Sequence, residues 1–227
     1  MQPIRITHFS DVLCVWAYVS QIRIDELRKT FGEAVEVDFH FVSVFGDTRG
    51  KLEKAWGGRG GARAYSDHVK GVAARFDHVR VHDEIWTRDA PCSSMPAHLL
   101  LSAARILEAR EHGGGVRPAG LFERTAWAVR EAFFRDLVDI SSREALLAIA
   151  ADEGLSVQEV EWLLDNGQAH ARLAADLDLV REHSIQASPT LVFNEGRQRL
   201  TGNVGYRIIE ANVRELIESP PGEHTWC

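Results

Sequence analysis

A strand, a helix and a second strand follow one another between Pro3 and Val42, and that order constrains the fold more than anything later in the chain. Residues 3–9 alternate loosely between Pro3 and Ser10 and read as a strand. Residues 15–31 carry Trp16, Val19, Ile22, Ile24 and Leu27 near helical spacing, with Gly32 past the end, and read as a helix. Residues 35–42 alternate with period two, which predicts a second strand. Strand, helix and strand at this spacing form a βαβ unit, a parallel pair joined by a crossover helix.

The pattern then changes. Residues 46–62 are charged and Gly-rich (Gly57-Gly58-Arg59-Gly60-Gly61) and read as a loop or mobile segment. No strand leads into these glycines and no Gly-Lys-Ser/Thr follows, so they do not read as a phosphate cradle. Helices are expected at 62–76, 95–111, 119–135, 142–153, 157–165 and 168–183. Gly113-Gly114-Gly115 ends one of them. Ser141-x-x-Glu144 and Ser156-x-x-Glu159 read as capping boxes, with Gly154 and Gly167 just past helix ends. Residues 187–193 form an apolar strand opened by Pro189. Asn194-Glu195-Gly196-Arg197 is a turn and residues 198–200 a short strand, which together make a hairpin. A final helix over 206–217 places Ile208, Ile209, Val213, Leu216 and Ile217 on one face. The fold class expected is α/β: a βαβ–ββα frame split by a large helical insertion. Residues 1–45 and 185–218 form one domain, 46–184 the insertion, and 219–227 a loose tail.

The 227 residues are 45% hydrophobic, enough for one substantial core or one domain carrying a large insertion. A net charge of −7 argues against nucleic acid or an anionic membrane as partner. No apolar run approaches the roughly 20 residues of a membrane span. The chain enters its first strand without a basic, apolar and cleavable leader, so a cytoplasmic location is expected. Three cysteines make no disulfide framework. No His/Cys group has zinc spacing and no Ser-His-Asp elbow is present, so neither metal nor serine-hydrolase chemistry is expected.

Cys14 stands where the first strand meets the first helix. Free backbone N–H groups and the positive dipole end of a helix stabilise a thiolate there, which points to a reactive sulfur; the alternative is a buried structural thiol. The motif reads Cys-Val-Trp-Ala, so the second sulfur of a CxxC pair is replaced by Ala17.

This frame resembles the thioredoxin fold, and its central helical block resembles the insertion of the DsbA-like family. The match is to the intracellular branch that holds FrnE-type dithiol oxidoreductases, 2-hydroxychromene-2-carboxylate isomerases and kappa-class glutathione transferases. Three segments carry it. Asp11-Val12-Leu13-Cys14-Val15-Trp16-Ala17-Tyr18 is similar to the D-x-x-C-P-W-C-Y of FrnE-type proteins; the isomerases and transferases have serine at the position of Cys14. Ser188-Pro189-Thr190 resembles the loop whose proline is cis and faces the active-site residue. Cys92-Ser93-Ser94-Met95-Pro96-Ala97-His98 resembles the N-T/S-x-x-A-H segment that lines the substrate cleft. Val15, Ala17 and Ser93 depart from the family's proline, second cysteine and asparagine.

The resemblance implies that Cys14 is a nucleophile working through one sulfur with glutathione or another small thiol. Ser188, Pro189 and Thr190 would align an extended substrate. Asp11 would be a helix cap or a charge near the thiolate, Trp16 a substrate platform, and Ser93 part of the cleft. His98 would be a proton donor, and Asn203 would lie near the γ-glutamyl end of glutathione. Cys92 is the candidate resolving thiol, provided that its Cα lies within about 7 Å of that of Cys14. Partners would be small thiols, small molecules or protein disulfides, with a homodimer left open. Two further readings stay open: a glutathione-dependent isomerase or transferase for a small aromatic substrate, and a binding protein that kept the fold without the chemistry.

Overall fold

The computed structural model describes residues 3–112, 120–196 and 198–218. The βαβ unit is β1 (Ile4–Ser10), α1 (Val15–Phe31) and β2 (Val35–Phe41). β1 and β2 run parallel in register from Ile4 opposite Val35 to Ser10 opposite Phe41. α2 (Thr48–Trp56), α3 (Gly61–Ala73), α4 (Met95–His112), α5 (Leu121–Phe134), α6 (Arg143–Asp152), α7 (Val157–Asp165) and α8 (Gln168–Glu182) follow. The chain then returns to the sheet as β3 (Thr190–Phe193) and β4 (Gln198–Thr201) and closes on α9 (Tyr206–Glu218). The sheet order is β2-β1-β3-β4, with β3 antiparallel to both neighbours. β1 is thus an inner strand, and the Cys14 junction projects from the middle of the sheet.

The expectation of a loop at 46–62 is corrected. Asp47 accepts the Gly50 N–H at 2.9 Å and starts α2. Arg49, Lys51, Glu53 and Lys54 favour helix without demanding burial, and within α2 only Thr48 and Leu52 are buried. So short an apolar stripe leaves no periodic signal. Gly60 and Gly61, at φ +107° and +63°, turn the chain into α3 by a path that side chains with a Cβ rarely follow. Ser156 caps α7 through the Glu159 N–H at 3.3 Å as expected. The cap of α6, however, is Ser142 and not Ser141, because Ser141 is bonded to the Ser93 backbone instead.

Ile22 and Ile208, placed on apolar faces by their spacing, point outward and are 47% and 55% exposed. α1 buries Val15, Ala17, Tyr18, Val19, Ile24 and Leu27 instead, and α9 buries Ile209, Val213 and Leu216. Tyr18 stacks on Phe134 at 4.8 Å and leans on Trp127, which fixes α1 against α5. Gly113-Gly114-Gly115, Arg197 and the tail 219–227 lie outside the described residues.

Candidate active site

The end of β1 sets the site. After Ser10 the chain turns tightly: the Cys14 N–H reaches Asp11 O at 3.1 Å and the Leu13 N–H reaches Asp11 Oδ1 at 2.9 Å. Cys14 becomes the residue preceding the first turn of α1, with extended backbone (φ −83°, ψ 114°). Its sulfur occupies the place of a capping side chain and faces the N–H groups of Trp16 and Ala17. The Ser188-Pro189 bond is cis, as the family resemblance implied. Two hydrogen bonds clasp this loop to the turn. Cys14 Sγ donates to Ser188 O at 3.1 Å, and the Asp11 N–H donates to Ser188 Oγ at 2.9 Å. The Ser188 hydroxyl keeps its own proton free for the sulfur. Pro189 is buried and its carbonyl accepts the Gly202 N–H at 2.8 Å; Thr190 is buried in β3, its hydroxyl bonded to Ala187 O.

The expected low-pKa thiolate is corrected. Cys14 is only 7% exposed, and burial pushes its thiol up. The bonds from Ser188 and from the Ala17 and Trp16 N–H groups pull it down without offsetting that rise, and the Asp11 charge adds to it. The resting sulfur is a protonated thiol whose hydrogen is held on a carbonyl. The helix N-terminus is present as the position predicts; desolvation outweighs it.

Asp11 is fully buried. Besides Leu13 it accepts from the Phe45 N–H at 2.8 Å and the Ser94 hydroxyl at 2.9 Å, both on its second oxygen. It therefore ties the β1 turn to the entrances of α2 and α4 and is not a simple cap for α1. The segment before α4 meets the site through Ser94; Ser93 instead caps α4, accepting the Met95 N–H at 3.1 Å. His98 is fully buried and stacked on Phe41. Its Nε2 accepts the Val12 N–H at 3.3 Å and burial pushes its pKa down, so it is neutral and closed to solvent. That corrects its expected role as proton donor to a substrate. Asn203 is exposed and its side-chain oxygen is taken by Arg23 at 2.6 Å. Cys92 is an exposed free thiol, and no disulfide joins it to the buried Cys14.

Trp16 is half-buried beside Cys14 and meets the His68 ring edge-on at 6.3 Å. Behind it Tyr65 packs against Trp56, His68 and Trp86. Burial, with the Asp11 carboxylate adding to it, pushes the Tyr65 phenol far up, so it stays protonated. Arg130 of α5 is buried to 4% exposure and bonds Ser10 Oγ at 3.1 Å and Gln21 Oε1 at 3.4 Å. Among the described residues no carboxylate pairs with it; burial lowers its pKa, while the Asp11 carboxylate is among the charges holding it up. It is a buried cation behind the thiol.

Sequence reasoning missed Tyr65 and Arg130, and within the Cys92–His98 segment it singled out Ser93 where Ser94 makes the contact with Asp11. Arg130 left a readable signal: it interrupts the apolar stripe Phe122, Ala126, Val129, Phe133. A groove of about 520 Å³ lies elsewhere, between α1 and α5, lined by Gln21, Ile22, Asp25 and Trp127 among others, and does not include Cys14. Among the described residues no group of three His, Cys, Asp or Glu is placed to hold a metal ion, and no helix is long and apolar enough to cross a membrane.

The sequence profile of the DSBA-like thioredoxin domain matches residues 5–213. A Halalkalibacterium halodurans protein named ClpXP adapter protein SpxH is 25% identical over 231 residues, covering 97% of this chain and 70% of that protein. A probable DsbA oxidoreductase of Streptomyces coelicolor superposes with TM-score 0.74 at 20% identity, over 98% of this chain and 94% of that one. The cytosolic disulfide reductase DsbM of Pseudomonas aeruginosa, in its structure with GSH, superposes with TM-score 0.61 at 16% identity, over 92% and 99%. At these identities the two structures establish the shared fold.

Proposed function

The chain belongs to the DSBA-like thioredoxin domain family, and on that premise we propose a thiol-disulfide oxidoreductase or thiol transferase. It works through one sulfur, Cys14, with glutathione or another small thiol as second reactant. One observation carries this reading: the Cys14 thiol, at the head of α1, donates to the carbonyl of the cis-proline loop. An extended substrate that offers a backbone N–H to Ser188 O removes the thiol's acceptor. The sulfur then faces only donors, the Trp16 and Ala17 N–H groups and the Ser188 hydroxyl, and gives its proton to solvent. The thiolate attacks the glutathione sulfur of a substrate–glutathione disulfide. The old S–S bond breaks, the substrate leaves as a thiolate, and Cys14 holds the glutathione. Ala17 cannot resolve this adduct. A second glutathione thiolate attacks it, regenerating Cys14 and releasing glutathione disulfide. The substrate gains the two electrons that the glutathione pair loses. That DsbM has been solved with GSH on this fold supports the choice of thiol.

The protonated thiol also favours a second reading, in which Cys14 acts as a hydrogen-bond donor to a bound glutathione in an isomerase or transferase of small aromatic substrates. Mass spectrometry after exposure to oxidised glutathione separates the two. A glutathione adduct confined to Cys14, growing as pH rises, is the expected result, and Cys14→Ser abolishes turnover. An active Cys14→Ser protein would install the second reading. A Cys14–Cys92 disulfide would replace the single-sulfur mechanism, and an inert Cys14 would leave a binding role.

A further inference from the structure

The segment over the cysteine carries an uncompensated charge. Between Asp47 and Arg63 stand five cations, Arg49, Lys51, Lys54, Arg59 and Arg63, against two acids, Asp47 and Glu53, in a chain of net charge −7. Asp47 is engaged in capping α2. None of the five cations forms an ion pair among the described residues, whereas nearby Lys70 and Arg88 are paired with Asp67 and with Glu84 and Asp89. Arg49, Lys54, Arg59 and Arg63 are exposed.

These charges frame an aromatic wall. The Arg59 guanidinium lies 5.9 Å from the centre of Trp56, and Lys51 Nζ lies 4.9 Å from that of Phe45. Trp56 reaches His68 at 5.2 Å, and His68 reaches Trp16, the neighbour of Cys14. Burial and Arg75 hold His68 down, so it adds an apolar ring and no charge. Phe45, on the other side, is tied by its N–H to Asp11. The basic collar therefore runs continuously into the thiol site.

We propose that this α2–α3 collar docks an acidic polypeptide segment and delivers it to Cys14. The inference rests on the reading of Cys14 as the exchanging thiol and names its substrate class: protein thiols or disulfides flanked by Asp or Glu and an apolar side chain. The span favours a polypeptide over a small molecule. The cations are spread along α2 (Thr48–Trp56), about 13 Å long, and the turn into α3, a length that an extended chain, rising about 3.3 Å per residue, covers in about four residues. Charge complementarity supplies the attraction and the encounter rate.

The test is fluorescence anisotropy with a labelled, cysteine-free peptide of glutamates around one leucine, against its glutamine counterpart. The acidic peptide is expected to bind about tenfold tighter, with the preference collapsing when salt is raised from about 0.05 to about 0.5 M. Combined Arg49→Glu, Arg59→Glu and Arg63→Glu removes the preference, while Arg207→Glu on exposed α9 preserves it. Should the triple variant fail to fold, Arg59→Gln carries the same test at smaller amplitude. Equal binding of the two peptides, unchanged binding by the collar variants, or an equal loss from Arg207→Glu would overturn the proposal. The probe holds no sulfur, so failure here leaves the Cys14 reading standing, and an inert Cys14 leaves this binding measurable.

Discussion

Two buried carboxylates tie the sheet to the helical block, and they are held in opposite ways. Asp176 of α8 meets two basic side chains, His40 Nδ1 at 2.7 Å and Arg172 at 2.6 Å, and also accepts the Phe41 N–H at 3.1 Å. His40 spans it to Asp38 at 2.9 Å. Asp11 meets neutral donors, two backbone N–H groups and the Ser94 hydroxyl; its nearest histidine, His98, is 3.8 Å away and uncharged. Arg130, the buried cation near Asp11, bonds neutral oxygens. The Asp176 cluster thus settles its charges locally and serves as structure. The Asp11 cluster leaves its carboxylate without a cationic partner near the thiol, so its field acts on the sulfur.

The largest expected effect breaks the paired side. Asp176→Ala strips partners from His40, Arg172 and the Phe41 N–H and should cost about 3–5 kcal/mol in denaturant unfolding. A loss no greater than that of a surface substitution would refute the structural role. Asp11→Ala leaves three donors without an acceptor and should cost about 2–3 kcal/mol, while the Cys14 thiol pKa falls because a raising charge is gone. Lower stability together with higher thiol reactivity is the signature that Asp176→Ala should lack.

The two clusters should also part with pH. For His40, burial alone lowers the pKa, but the bonds to Asp176 and Asp38 outweigh it and hold it raised. Its stabilisation is fully present below the unfolded value of 6.5 and is lost as pH rises through the raised folded value. Asp176 is held low by His40 and Arg172 against its burial, so its contribution is present above 3.8 and is lost as pH falls through the lowered folded value. Stability measured against pH should be highest between these limits, and His40→Gln should flatten its alkaline decline. Ser94→Ala gives the smallest effect, about 1 kcal/mol, from one hydroxyl bond to Asp11.

Most of the frame was legible because its signals are local. The alternation in β2, the Gly32 stop of α1 and the Ser156 cap of α7 each depend on residues a few positions apart. α2 was not, because a short helix with few buried residues between glycines has no stripe to read. The site divides the same way. Cys14 could be placed at a helix head from its neighbours alone. The burial that raises its pKa, and the Asp11 carboxylate held there by Phe45 and Ser94, come from the tertiary fold. His98 lost its expected role through Val12 and Phe41, contacts that no spacing announces.

The most direct measurement is the pH profile of Cys14 alkylation, followed by peptide mass spectrometry with exposed Cys92 as internal reference. The expected result is a Cys14 midpoint above the ordinary thiol value of 9.0, moving down when Asp11 is replaced by alanine. A Cys14 that alkylates faster than Cys92 near neutral pH, unmoved by Asp11→Ala, would contradict a buried, carbonyl-held thiol under the field of Asp11.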